Sequence, residues 1–231
     1  MKASDLNTHD IRRNQPGSEI GLLLGNGEMG GLLRNDGLGF DAIWLTDFWR
    51  NEAERQSIGP IRLELAGRSG APDRYEQILP LGTVVATTSW FSNEGGSYES
   101  EFFFSQATPH LLCGRIKNTS GETQTWELHL PGPVIPEDPC TLKVRCEATA
   151  PPMVLPFTAA TLAVRASRDY EEISCSSGKF ILPPGMEWEG RFALVTSFDQ
   201  LDFESSALEI AGHDRSYSDE KSAHTAIWEN Y

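Results

Sequence analysis

Residues 20–49, IGLLLGNGEMGGLLRNDGLGFDAIWLTDFW, carry the pattern that decides the fold. Two apolar runs, 20–24 and 38–45, flank the turn Leu24-Gly25-Asn26-Gly27-Glu28-Met29-Gly30-Gly31. Asn-Gly between apolar runs is a strong local hairpin signal, because both central residues of a type I′ turn need positive φ. Residues 25–31 hold four glycines, more than one turn requires. The surplus implies that backbone passes close to another strand or to a ligand. Beyond the second run the chain reads Thr46-Asp47-Phe48-Trp49, alternating polar and aromatic groups.

Outward from this stretch the strand pattern continues. Residues 60–65 (PIRLEL) alternate apolar and polar, and 83–91 (TVVATTSWF) are rich in β-branched side chains. Asn93-Glu94-Gly95-Gly96 turns the chain into 97–105 (SYESEFFFS), and 110–117 pairs with 123–130 (TQTWELHL). In the last of these Trp126, Leu128 and Leu130 share one face, and Thr125, Glu127 and His129 the other. Four prolines within 131–139 exclude a central strand or a helix interior there, which leaves a long connection between two sheets or a domain boundary. Strand patterns resume at 141–149, 161–166, 173–176, 179–182 and 187–197. Closely spaced turn signals favour an antiparallel meander over βαβ units.

The final residues change period. Ser218 is an N-cap candidate with acids after it, and Ala223, Ile227 and Tyr231, with Ala226 beside them, recur on one helical face. No Gly, Pro or basic last turn ends that helix, so it reads as cut rather than finished. The expected fold is therefore all-β, an antiparallel β-super-sandwich of two large packed sheets with a C-terminal linker helix. The expected boundaries are a lead-in over 1–17, the sandwich over 18–200 and the linker over 201–231.

Composition narrows the function. The 231 residues include 33 acidic and 19 basic side chains, a formal charge of −14. That field repels phosphate backbones and anionic lipid, so nucleic-acid and membrane partners are not expected. No signal-peptide h-region and no long apolar run appear, which fits a cytoplasmic chain, or a secreted or periplasmic one shown without its leader. Cys113, Cys140, Cys146 and Cys175 have no zinc spacing, so no metal or cofactor is expected. Their pairing stays open. Asn118-Thr119-Ser120 matches a glycosylation sequon placed in a turn.

Leu24-Gly25-Asn26-Gly27-Glu28-Met29-Gly30, followed by Ile43-Trp44-Leu45-Thr46-Asp47-Phe48-Trp49, resembles the opening of the N-terminal β-super-sandwich of glycoside hydrolase families 65 and 95. Residues 59–65, 75–81 and 109–117 follow in the order those domains use. Family 95 α-L-fucosidases read L-N-E-D-x-L-W where this chain has the shorter 45–49, with Thr46 at the Asn position. A related super-sandwich family with K-x-D-x-W fits as well, keeping Asp47 and Trp49. The resemblance implies that general acid and base lie in a following (α/α)₆ barrel that these residues do not include. It also implies two partners: that catalytic domain of the same polypeptide, and an oligo- or polysaccharide substrate.

The residues themselves agree with a non-catalytic role. Glycoside hydrolysis needs two carboxyls about 5–10 Å apart, one of them protonated. Glu28, Asp41 and Asp47 are close in sequence, but in so acidic a chain clustered carboxylates read as solvated surface. The five histidines are scattered and no G-x-S-x-G elbow is present. Sugar contacts call for an aromatic ring and polar groups around it. Trp44, Trp49, Trp90 and Tyr98 supply rings, each with sandwich core as the competing role. Asn26, Glu28, Asp47 and Trp49 are the candidates for carbohydrate binding or for the rim of a cleft. The alternative is a stand-alone carbohydrate-binding or structural module.

Overall fold

The computed structural model describes residues 10–17, 21–45, 58–68, 70–147, 159–197 and 199–230. Ile11–Arg13 (β1) comes first. Leu22–Gly25 (β2), Met29–Leu33 (β3), Gly39–Leu45 (β4) and Ile61–Leu65 (β5) form one meander. Arg74–Leu79 (β6), Ala86–Phe91 (β7), Tyr98–Phe104 (β8) and Leu111–Asn118 (β9) form a second. Gln124–His129 (β10) returns beside β5. Val134–Asp138 (β11), Thr141–Glu147 (β12), Ala159–Ala166 (β13), Glu172–Ile173 (β14), Ser177–Leu182 (β15) and Glu187–Thr196 (β16) complete the strands. Helices Phe203–Ala211 (α1) and Tyr217–Glu229 (α2) follow.

These strands make two antiparallel sheets. Nine lie in the order β1-β6-β7-β8-β9-β16-β13-β12-β11, and seven in the order β14-β15-β10-β5-β4-β3-β2. The expected all-β super-sandwich with C-terminal helix is the architecture found. The proline-rich stretch, expected as a connection or boundary, instead carries β11 as the edge of the larger sheet. There a missing N–H removes no ladder bond.

Alternation fills the core. Leu63, Trp126, Leu128, Phe180 and Leu182 point inward from the smaller sheet, and Phe102, Leu112, Ile116, Phe192 and Leu194 from the larger. Rings cross between the sheets in a continuous chain. Trp90 stacks on Tyr98 (5.9 Å), Tyr98 meets Trp126 edge-on (5.5 Å), Trp126 stacks on Phe180 (6.5 Å), and Phe180 on Trp188 (5.0 Å). Glycines make room for rings. A Cβ on Gly114 would lie 2.4 Å from Phe102, and one on its cross-strand partner Gly190 would lie 2.3 Å from Trp188.

The interior also has a polar plug. The β3–β4 turn enters between the sheets and is held by side chains of the larger one. Tyr98 Oη donates to the Asp36 carbonyl (2.8 Å), Tyr75 Oη to that of Asn35 (2.5 Å), and Ser100 Oγ to that of Gly37 (2.8 Å). Gln77 Nε2 donates to the Arg34 carbonyl (3.0 Å). Burial pushes the Asp36 carboxyl up, but Arg34 and Arg68 outweigh it and hold the group below its ordinary range.

Outside, α1 covers Ala163, Ala193 and Val195 with Ala207 and Ala211, small residues that let helix and sheet approach closely. α2 covers Phe103, Leu111 and Cys113 with Tyr217. Three expectations change here. α1 lies in a stretch read only as linker. The N-cap of α2 is Ser216, whose hydroxyl accepts from the Asp219 amide (3.1 Å), rather than Ser218. Its buried face is Tyr217, Glu220 and His224, not the face of Ala223, Ala226 and Ile227; Tyr231 lies outside the described residues.

Candidate functional site

The opening hairpin is closed differently from a type I′ Asn-Gly turn. Gly25 pairs with Gly30, and the Asn26 amide donates to the Met29 carbonyl (3.0 Å), which makes Gly27 and Glu28 the central pair. Gly27 takes φ +93° and Asn26 is not among the positive-φ residues, so glycine occupies the first central position, as type II′ requires. Asn26 acts through its side chain instead. Its Oδ1 accepts from the amides of Glu28 (3.0 Å) and Met29 (2.7 Å), and its Nδ2 donates across the sandwich to the Ser105 carbonyl (2.6 Å).

The glycine surplus serves rings and strands. A Cβ on Gly30 would meet the Trp44 indole at 2.7 Å, and one on Gly31 would meet Phe40 at 2.7 Å and Phe104 at 2.9 Å. Glu28 is exposed at the tip. Trp44 is half-buried on the outer face, opposite Gly30. Asp47 and Trp49 lie outside the described residues. Asp41, grouped with them by sequence, points outward to Arg34 (3.2 Å) and Arg62 (3.8 Å). Trp90 and Tyr98 are core rings, with the Arg68 guanidinium 4.8 Å over Trp90.

Ser105 connects the hairpin to α2. Its hydroxyl donates to Glu220 Oε1 and accepts from the amides of Ala107 (3.0 Å) and Thr108 (3.0 Å). Glu220 Oε2 takes Arg215 Nη1 at 2.9 Å, and His213 Nε2 lies 3.5 Å away. Burial pushes the Glu220 carboxyl up, but Ser105, Thr108 and Arg215 outweigh it and hold it below its usual range. One turn on, His224 Nδ1 accepts from the Gln106 amide (3.1 Å) and Nε2 lies 2.8 Å from the Thr83 carbonyl. The apolar pattern of the helix does not single out Glu220 and His224 as its anchors. Their spacing from Tyr217, three and seven residues, was the available signal.

No catalytic constellation emerges at this end. Both Glu220 and Ser105 are fully buried and their polar atoms are used by protein partners. Glu101 is held below its ordinary range; burial raises it, and Lys221 and Arg115 more than compensate. Among the described residues no group of three or more His, Cys, Asp or Glu side chains is arranged to hold a metal. No helix among them is long and apolar enough to cross a membrane. Asn118 is buried, with Nδ2 donating to the carbonyls of Glu122 (2.7 Å) and Leu182 (2.8 Å), so the folded sequon presents no acceptor amide.

No protein-family model matches the chain, and no curated protein does. Solved structures do. One described as "Putative kojibiose phosphorylase from human microbiome" superposes with a TM-score of 0.67 at 10% identity, over 96% of this chain and 38% of its own. A family GH92 α-mannosidase from Bacteroides thetaiotaomicron gives a TM-score of 0.35 at 9% identity, over 96% of this chain and 34% of its own. Its complex with mannoimidazole gives 0.35, 9%, 95% and 33%. At such identities the first likeness establishes the fold. This chain therefore has the fold of one part of that longer protein and spans 38% of its length.

Proposed function

We propose that this chain is the non-catalytic N-terminal sandwich of a glycoside hydrolase of the family 65 or 95 kind. In this reading it packs on a following helical-barrel domain and shapes the rim of that domain's cleft. One observation carries the reading: nearly all of this chain superposes on little more than a third of a phosphorylase chain. The division into sandwich, 18–200, and linker, 201–231, belongs to the same proposal, with α1 and α2 as the linker. Asn26 then fixes the hairpin, and Glu28, Asp47 and Trp49 are the rim groups that face an oligo- or polysaccharide.

The test is direct. The isolated chain is expected to release no aglycone from aryl glycosides and no sugar phosphate from disaccharides with phosphate. Joined to its downstream coding sequence, it is expected to form an active enzyme whose KM rises in Trp49→Ala. Turnover by the isolated chain that disappears in Glu28→Gln or Asp47→Asn would overturn the proposal. Glycan binding by the isolated chain that is lost in Trp49→Ala, with no helical domain encoded downstream, would favour the stand-alone binding module.

A further inference from the structure

Helix α2 is anchored to the larger sheet by three buried side chains, Tyr217, Glu220 and His224, of which the carboxyl and the imidazole change charge in acid. An apolar face would dock at any pH; this one has to keep a defined protonation state. For His224 the geometry sets that state. Nδ1 accepts the Gln106 amide hydrogen at 3.1 Å, so it carries no proton, and Nε2–H donates to the Thr83 carbonyl at 2.8 Å. The imidazole lies 4.8 Å from the Phe103 ring and is fully buried. A second proton has only Nδ1 to occupy, where it points at the Gln106 N–H.

The surrounding charges offer the imidazolium little. Glu220, one turn earlier, is already engaged by Ser105 and Arg215, with His213 at 3.5 Å. On β16, Arg191 donates to the carbonyls of His213 and Arg215, at 2.5 Å each. On β8 and β9, Glu101 is paired with Arg115 (3.0 Å) and Lys221 (2.8 Å), and Cys113 lies beneath Tyr217. His110 closes the turn that contains Gln106. The two segments gripped by His224 also hold the two non-glycine residues with positive φ among those described, Val84 (50°) and His110 (62°). A β-branched residue there is strained and persists only while its surroundings brace it.

We propose that α2 is a pH-sensitive latch. Protonation of His224 in mildly acidic solution breaks its contacts with Gln106 and Thr83 and releases the helix from the sheet while the sandwich stays folded. The inference stands apart from the proposed function, because it concerns only how this chain holds its own helix.

Hydrogen exchange of the full chain tests it, read between pH 7.5 and 4.5 and corrected for intrinsic rates. Protection of the α2 amides is expected to fall about tenfold from pH 7.5 to 5.5, with β9 and β16 unchanged. In His224→Gln, which keeps an amide donor and does not titrate, α2 protection is expected to be flat over the same range. Constant wild-type protection in α2 overturns the latch. So does loss of β9 and β16 protection in step with α2, or an unaltered pH response in His224→Gln. If that variant is undocked at neutral pH, NMR titration of the wild-type His224 imidazole decides. A midpoint well below 6.5 supports the latch, and one at or above 6.5 sinks it.

Discussion

Asn26 shows how one side chain can serve a turn and a tertiary contact together. It satisfies two amides at the hairpin tip and one carbonyl on the opposite sheet. Asn26→Ala takes that partner from the buried Met29 amide and Ser105 carbonyl, so urea denaturation is expected to show a loss of roughly 1–3 kcal/mol. Gly37 and Gly67 separate backbone freedom from packing. Both take positive φ, but a Cβ on Gly37 would lie 2.1 Å from Thr88 Oγ1, whereas one on Gly67 meets nothing within 4 Å. Gly67→Ala is expected to cost about 1 kcal/mol for the left-handed backbone alone. Gly37→Ala also has to dislodge the polar plug, so its urea midpoint is expected to fall well below that of Gly67→Ala. Equal losses would show that the plug does not discriminate. Asn26 was legible as a turn residue; its bond to Ser105, 79 residues away, was not.

At the scale of elements, α2 has the clearest pH signature. Burial pushes the His224 pKa from 6.5 to about 4, against the pull of the Thr83 carbonyl and of Glu220. Between those two values the unfolded chain binds the proton and the folded chain does not. Stability from this group is therefore complete above about pH 6.5 and declines as pH falls toward 4. The whole interval corresponds to about 3 kcal/mol. Glu220, held low, adds a loss at still lower pH. Chemical denaturation of wild type and His224→Gln at pH 7.5 and 5 is expected to show a larger acid loss in wild type; equal losses would refute it. Most strands were legible element by element, since burial of alternate residues is a local pattern; β1, β3 and β11 were not. The docking face of α2 was not. Its anchors are polar, and the apolar repeat of Ala223 and Ile227 pointed to another side of the helix.

At the scale of the molecule, the charge of −14 sits on a sandwich whose outer sheet faces carry many paired groups. On the larger sheet Arg115 pairs with Glu101 and Glu187; on the smaller, Lys179 pairs with Glu172. The exposed Lys179–Glu172 pair contributes little to stability by itself. The net sign of the charge still governs association, so no binding to duplex DNA or anionic vesicles is expected at about 0.15 M salt. Co-sedimentation or fluorescence anisotropy showing saturable binding would contradict that.

By itself the sequence determined the β architecture, the inward faces of the strands and the glycine-bearing hairpin. Each depends on period-two burial or on the φ of a few adjacent residues, and both are written locally. Only the tertiary structure decided what the opening hairpin is for. Asn26 meets Ser105, Ser105 meets Glu220 at a separation of 115 residues, and His224 meets Thr83 at 141. A hydrogen bond between distant residues leaves no periodicity in the chain. It comes into being when the two sheets and the last helix close on one another.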